Sequence, residues 1–300
     1  MEINRANLDL FFTGAQALFD TAGGEVDTSH LVFSTEFPST TAAEGYSVTA
    51  KLGGMREWVG DRQIKNLETK ILKVVNRDFE DTVAIGKNDM MDDKFGMFNI
   101  EIQQMSRDAN ELPRDLAEDM LVNGFTYKWA DGKLFFSTDR KYGKNTVKNL
   151  FNLPLTRENF WLVRSTMRQY KNAADRNGKV RPTLLIVGPS NEKMAEEIIE
   201  AGIITELDAD GKSITSRKNS IAGKFTYIVI NSLGDEWFLA DVSRPVKPVG
   251  VQIRERAVLV AQDDPSSDAV FMRKQFLYGT SARAEAFLTF PHLIAGSKPE

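Results

Sequence analysis

The stretch ETKILKVVNRDFEDTVAIG, which begins at Glu68, constrains this chain more than any other. It is rich in Val, Ile, Thr and Phe, the residues that favour extended strands. Yet both alternating faces carry charge: Lys73, Arg77 and Asp81 on one, Glu68, Lys70, Asp78 and Glu80 on the other. A strand pair lying on its own core shows one clean apolar face. The pattern therefore predicts a projecting two-stranded arm with two half-polar faces. Isolated hairpins are marginal in water, so such an arm needs a partner.

The rest of the chain supplies a body for that arm. Leu8, Phe11, Phe12, Ala15, Leu18 and Phe19 fall at helical spacing, which predicts a helix over 4–20 that stops at Gly23 and Gly24. Residues 37–55 are rich in Ser, Thr and Gly and read as loop or extended chain. A long helical pattern covers 92–124, with Pro113 expected to kink or split it and Gly124 to end it. WADGKLFFSTD (129–139) reads as a turn at Asp131 and Gly132 followed by a short apolar strand. Thr156 is placed to cap a helix reaching about residue 174. TLLIVGPSNEKMAEEIIEAG (183–202) reads as a buried strand, a tight turn and a helix capped by Ser190. Residues 203–224 look polar and loop-like, and 225–300 are strand-rich. Helices and strands mix without regular βαβ alternation, so the fold class is α+β.

Composition removes most chemistries. There is no cysteine, which excludes disulfides, thiolate metal sites and thiol nucleophiles. The two histidines, His30 and His292, lie far apart in the chain. A net charge of −4 is not that of a dedicated nucleic-acid reader. No apolar run approaches the roughly 18 residues a membrane span needs, and no signal peptide leads the chain, so a cytosolic address is expected.

Local motifs fail in turn. ELDADGKS (206–213) imitates a calcium loop, but the twelfth position would be Arg217 instead of a bidentate glutamate. As a phosphate loop it has Glu206 where the first glycine belongs. GPSN (188–191) could hold an anion at a helix start, although a lone serine there more often has a structural role. Asp89, Asp92 and Asp93 sit where carboxylates complement a helix dipole. The densest positive run, Arg140, Lys141, Lys144 and Lys148, could touch phosphates without reading sequence, or simply be a solvated loop. No catalytic, metal or cofactor site is expected, and the chain is not read as an enzyme.

Residues 36–93 carry a longer signal. EFPSTTAAEGY, REWVGDRQIKNL and NRDFEDTVAIGKNDMMDD resemble the Mu-like phage major head protein family in order and spacing. DGKLFFSTD, RPTLLIVGP and FLYGTSARAEAF continue the resemblance over nearly the whole chain. The segment FLTFPHLIAGS departs from it, with Phe290, Pro291 and His292 in place of a Trp-Gln-Leu-like ending.

The resemblance implies a Hong Kong 97-like major capsid fold with an N-terminal arm (1–35) and an extended β-hairpin loop (36–90). A peripheral domain with a long spine helix (91–155), an axial domain (156–235) and a return to the peripheral domain (236–300) would follow. It implies a major capsid protein of a tailed double-stranded DNA phage or prophage, self-assembling into the hexamers and pentamers of an icosahedral shell. Its setting would be the virion, and the bacterial host cytoplasm during assembly. Its partners would be itself, a scaffold protein and portal, a decoration protein in some shells, and packaged DNA contacted without sequence preference, with no membrane. The chain opens at Met1 without a long leading segment, so a separate scaffold and little or no maturation cleavage are expected.

Within this frame MREWVGDRQIKNL becomes an intersubunit clasp. Arg56, Glu57, Asp61 and Arg62 would pair with charges of neighbouring subunits, and Trp58 would fill their pocket. The alternative for Trp58 is packing inside its own subunit. Two other functions compete: a cellular nanocompartment shell of the same fold, and a soluble α+β enzyme using carboxylates such as Asp89 and Asp92.

Overall fold

The computed structural model describes residues 2–48, 70–92, 96–142, 144–172, 175–207 and 214–299. Helix α1 (Arg5–Gly23) begins at Asn4, whose side chain accepts the Asn7 N–H at 2.9 Å. Its stripe of Leu8, Ala15 and Phe19 is buried against Ile102, Met105 and Tyr278. Strand β1 (Ser34–Pro38) ends just inside the stretch 37–55 expected to be loop or extended, which holds β2 (Ala43–Val48) and from residue 49 lies outside the described residues.

From Lys70 on, the charged stretch is two strands, β3 (Lys70–Val75) and β4 (Arg77–Gly86), and they do not pair with each other. β3 pairs antiparallel with β2, from Ala43↔Val75 to Val48↔Lys70. Its Leu72 and Val74 are buried in the main core, while Ile71 and Val75 are 64% and 53% exposed. Of the arm expected over 36–90, the described residues hold the β2–β3 pair, which turns Leu72, Val74 and Tyr46 inward together with Glu44, while residues 49–69 lie outside them. Tyr46 stacks on Phe287 at 4.6 Å and anchors the pair. Asn76 separates the two strands: its amide donates to Ser39 Oγ and the Thr41 carbonyl, and its oxygen accepts from Gln252 at 2.6 Å. These three hydrogen bonds, two of them buried, fix where the chain leaves one sheet for the other.

After α2 (Lys87–Asp92), helix α3 (Met97–Val122) continues through Pro113 as one helix of 26 residues. The expected split does not occur. Pro113 gives no N–H to the preceding turn, but packing against α1 on one side of it and the main core on the other carries the helix across. The turn at Gly132 (φ +78°) is present, and the strand expected after it is reduced to a single bridge, Lys128↔Leu134. A small hairpin, β5 (Arg140–Tyr142) and β6 (Asn145–Val147), leads to β7 (Leu150–Phe151).

Helix α4 (Arg157–Arg168) is capped by Thr156, which accepts the Asn159 N–H at 3.2 Å, and it ends earlier than residue 174. Strand β8 (Leu184–Val187) is wholly buried and leads through a short turn into α5 (Glu192–Ile199). Ser190 does not cap it. Its hydroxyl bonds Asp235 Oδ1 at 2.8 Å and the Gly234 carbonyl at 3.1 Å, tying the turn to a neighbouring loop. Residues 203–224, expected as loop, contain the hairpin β9 (Ile203–Leu207) and β10 (Ile214–Lys218); most of ELDADGKS lies outside the described residues. The chain finishes with β11 (Thr226–Val229), β12 (Trp237–Ala240), β13 (Val249–Gln262), α6 (Asp268–Arg273), β14 (Gln275–Leu288) and β15 (Ile294–Ser297).

Two sheets organise these elements. The first has the order β1-β13-β14-β4, with β1 parallel to β13 and the rest antiparallel. The second, β11-β8-β12-β15-β7, is mixed. In it Ile186, Phe238 and Ile294 face the core under α3, and Leu185, Trp237 and Ala295 face α4 and α5. Both faces are covered, so its strands read as continuous apolar runs. This sheet draws β7 from the segment 91–155, β8 and β11 from 156–235, and β12 and β15 from 236–300. The architecture is α+β.

Candidate assembly surfaces

The residues expected to form the clasp, Arg56, Glu57, Trp58, Asp61 and Arg62, lie outside the described residues. What the structure gives is their mounting: the chain leaves at Val48 and re-enters at Lys70, directly paired partners at one end of the β2–β3 hairpin.

The expected basic patch splits into two unlike parts. Arg140 is 1% exposed and does not reach the surface. Its guanidinium pairs with the Asp131 carboxylate, donates to the Leu134 and Phe135 carbonyls, and sits 5.0 Å over the Trp129 ring. Trp129 in turn donates to the Thr289 carbonyl at 2.9 Å. Planar geometry and several fixed donors suit arginine to such a buried site. As a DNA-facing residue Arg140 is corrected: it braces the turn at Asp131–Gly132 against the core.

Lys141, Lys144 and Lys148 are exposed on the β5–β6 hairpin and beside it. Lys141 Nζ donates to Thr146 Oγ1 at 2.9 Å, and Lys148 Nζ rides 4.7 Å above the Phe151 ring. Lys171, far along the sequence, joins the group through Asp175, 3.0 Å away. Lys171, by hydrogen bond and charge, with a smaller contribution from Lys144, holds the Asp175 carboxyl below its usual range. Sequence reasoning missed Lys171 because a single lysine between Tyr170 and Asn172 carries no pattern.

The outer surface of β4 and β14 carries ion pairs: Arg77 to Glu285 at 2.6 Å, Arg283 to Asp78 at 2.6 Å and Arg283 to Glu255 at 3.4 Å. Further along β4, Glu80 and Asp81 have no cationic partner among the described residues. Apolar side chains stand exposed at element ends, notably Phe271 (82%) and Met272 (75%) on α6. FMRKQFLYG reads as one strand in sequence; the helical signal was Pro265-Ser-Ser-Asp just before it.

The two histidines are structural. His292 is buried against Tyr142, with Nδ1 3.2 Å from the hydroxyl, and burial lowers its pKa to about 3. His30 is also buried and lowered, chiefly by desolvation. Asp89 lies in the first turn of α2, as carboxylates at a helix start do. Among the described residues no group of three or more His, Asp and Glu is arranged to hold a metal, and no helix is long and apolar enough to cross a membrane.

Comparisons with known proteins agree with this geometry. The family model of the Mu-like prophage major head subunit gpT matches residues 8–154, 152–233 and 208–300. The Mu-like prophage FluMu major head subunit of Haemophilus influenzae is 23% identical over 289 residues, 95% of this chain and 72% of that protein. The major capsid protein of Escherichia phage Mu is 26% identical over 260 residues, 87% of this chain; the match spans 63% of that relative's length. Among solved structures, the procapsid of bacteriophage JBD30 superposes with a TM-score of 0.61 at 23% identity, over 99% of this chain and 77% of that one. The fold is therefore that of phage capsid subunits, the Hong Kong 97 type. The chain belongs to the Mu-like prophage major head subunit family.

Proposed function

We propose that copies of this chain form the hexamers and pentamers of an icosahedral shell enclosing the double-stranded DNA of a tailed phage or prophage. The observation that carries this is the placement of unpartnered apolar side chains on projecting elements: Ile71 and Val75 on the β2–β3 hairpin, Phe271 and Met272 on α6. Adjacent exposed apolar side chains such as Phe271 and Met272 suit a surface that another protein covers, and the match to the major head subunit family over the chain names the assembly. The β2–β3 hairpin and the segment it mounts act as the extended loop, α3 as the spine helix, and the five-stranded sheet with α4 and α5 as the axial domain. The clasp of Arg56, Glu57, Trp58, Asp61 and Arg62 grips a neighbouring subunit. Lys141, Lys144 and Lys148 contact DNA phosphates without reading sequence. A scaffold protein and portal assist assembly in the host cytoplasm, and the finished subunit resides in the virion.

Negative-stain electron microscopy of the purified protein tests the proposal. Closed particles or capsomer rings are expected; a dispersed 33.6 kDa monomer at all concentrations overturns it. Nucleic acid inside particles recovered from a producing strain separates a genome shell from a protein-cargo compartment.

A further inference from the structure

A groove of about 250 Å³ opens between α3 and the β4–β14 edge of the first sheet. Its floor is apolar, made by Phe79, Leu112 and Ala282. Its rim is acidic, made by Glu80, Asp81 and Asp108, none of which has a cationic partner among the described residues. Thr280, 5% exposed, lines the same groove and leaves its hydroxyl without a hydrogen-bond partner. An apolar floor, three uncompensated carboxylates and an orphaned hydroxyl fit a ligand with apolar stems and cationic heads.

This chain presents such a ligand elsewhere. Helix α6 and the residue after it carry Phe271, Met272, Arg273 and Lys274 in succession. Phe271 and Met272 are among the most exposed apolar residues of the molecule. Arg273 and Lys274 are exposed and form no ion pair among the described residues. The tip cannot fill its own groove. It joins β14 at Gln275, and Thr280 and Ser281 lie five to six strand residues further on, about 17–20 Å away.

We infer that the α6 tip of one subunit docks in the α3–β4–β14 groove of a second copy, Phe271 and Met272 on the apolar floor, Arg273 and Lys274 on the acidic rim. The contact is heterologous: tip and groove are different surfaces, so each copy offers one of each and the interaction propagates from subunit to subunit. It deepens the shell proposal and rests on it.

Charge reversal tests it. Arg273→Glu with Lys274→Glu places negative charge against the rim, and Asp81→Lys with Asp108→Lys places positive charge against the tip. All four side chains are exposed, so circular dichroism and melting temperature should match the unaltered chain. Each pair of changes should lower particle yield by at least about tenfold, because like charges brought together at an interface are strongly unfavourable, and the four combined should restore it. In this cysteine-free chain, Met272→Cys with Asp108→Cys should give an intersubunit disulfide ladder on a non-reducing gel, which neither single change gives. Normal particle yield in both charge-reversed variants, with no ladder, overturns the inference and leaves the shell proposal standing. An unaltered chain that never assembles overturns both.

Discussion

Arginine 140 separates a structural role from a nucleic-acid role within one short basic run. Replacing it with methionine keeps most of the volume and removes a guanidinium that is 1% exposed. The Phe135 carbonyl keeps the Asn149 amide at 3.2 Å, and Leu134 is 45% exposed, so water can serve its carbonyl. The Asp131 carboxylate has no such relief: its side chain is 13% exposed and Arg140 is its cation. Removing one partner of a buried pair costs about 3–5 kcal/mol, much of it the stranded charge. With about 2–4 °C per kcal/mol for a domain somewhat smaller than this, Arg140→Met should lower the melting temperature by about 10 °C.

A second substitution isolates the stranded charge. Asp131 Oδ1 also accepts the Lys133 N–H at 3.1 Å, a turn contact that asparagine preserves. Asp131→Asn in the Arg140→Met background removes the stranded charge and should recover about half the loss. Urea unfolding of the unassembled subunit measures both. An Arg140→Met cost below about 1 kcal/mol, or a double variant no more stable than the single, refutes the account of a buried, charge-neutralising brace. The same variant, assembled at reduced temperature, should hold DNA as the unaltered shell does.

Changing Lys141, Lys144 and Lys148 together to alanine should do the reverse: stability within about 0.5 kcal/mol per site, but weaker DNA retention and a shallower salt dependence in filter binding. Trp58→Ala should leave the subunit's circular dichroism unchanged and weaken shell formation, on the order of 2–4 kcal/mol for a central anchor; unaltered particle stability would argue for packing within the subunit. His292 takes up a proton in the unfolded chain near pH 6.5 but in the fold only near pH 3. It therefore removes stability as pH falls through that window, at about 1.4 kcal/mol per pH unit. His292→Phe should flatten the stability–pH curve there, and identical slopes would refute the assignment. Gly188→Ala would drive a methyl group into the carbonyls of Leu233 and Gly234, and should cost about 1–3 kcal/mol in thermal or urea unfolding.

What the sequence made legible was local. The stripe of α1, the Thr156 cap and the β8–α5 unit follow from spacing of 3.6 or 2 and from turn residues within a few positions. What it hid was non-local. β4 reads as half of an arm because its charges lie on both faces, yet Arg77 and Asp78 are answered by Glu285 and Arg283, some two hundred residues on. Arg140 looked solvated beside its lysines; its burial depends on Asp131 and Trp129, which turn back over it through Gly132. Pro113 looked like a break because local propensity opposes it, and tertiary packing overrides propensity. The clasp came from resemblance to a family, and the groove could not be seen at all, since its walls come from three distant segments.

The surface charges at the groove and tip are separable from folding for a physical reason. Exposed ion pairs such as Arg77–Glu285 contribute about 0–1 kcal/mol each, so they do not hold β4 to the sheet. A ten-residue ladder from Gln275↔Gly86 to Ala284↔Arg77 does that, with Ile85, Phe276 and Tyr278 buried beneath it. Reversing Asp81 or Asp108 leaves that ladder and that core intact. The same division holds along the β13–β14 ribbon: Val249, Val251, Phe287 and Leu288 are buried at one end, while Val258, Val260, Phe271 and Met272 stand exposed at the other. One pair of strands thus lines the subunit's interior at one end and carries Phe271, Met272, Arg273 and Lys274 at the other, and a loss of assembly without a loss of melting temperature reports the interface alone.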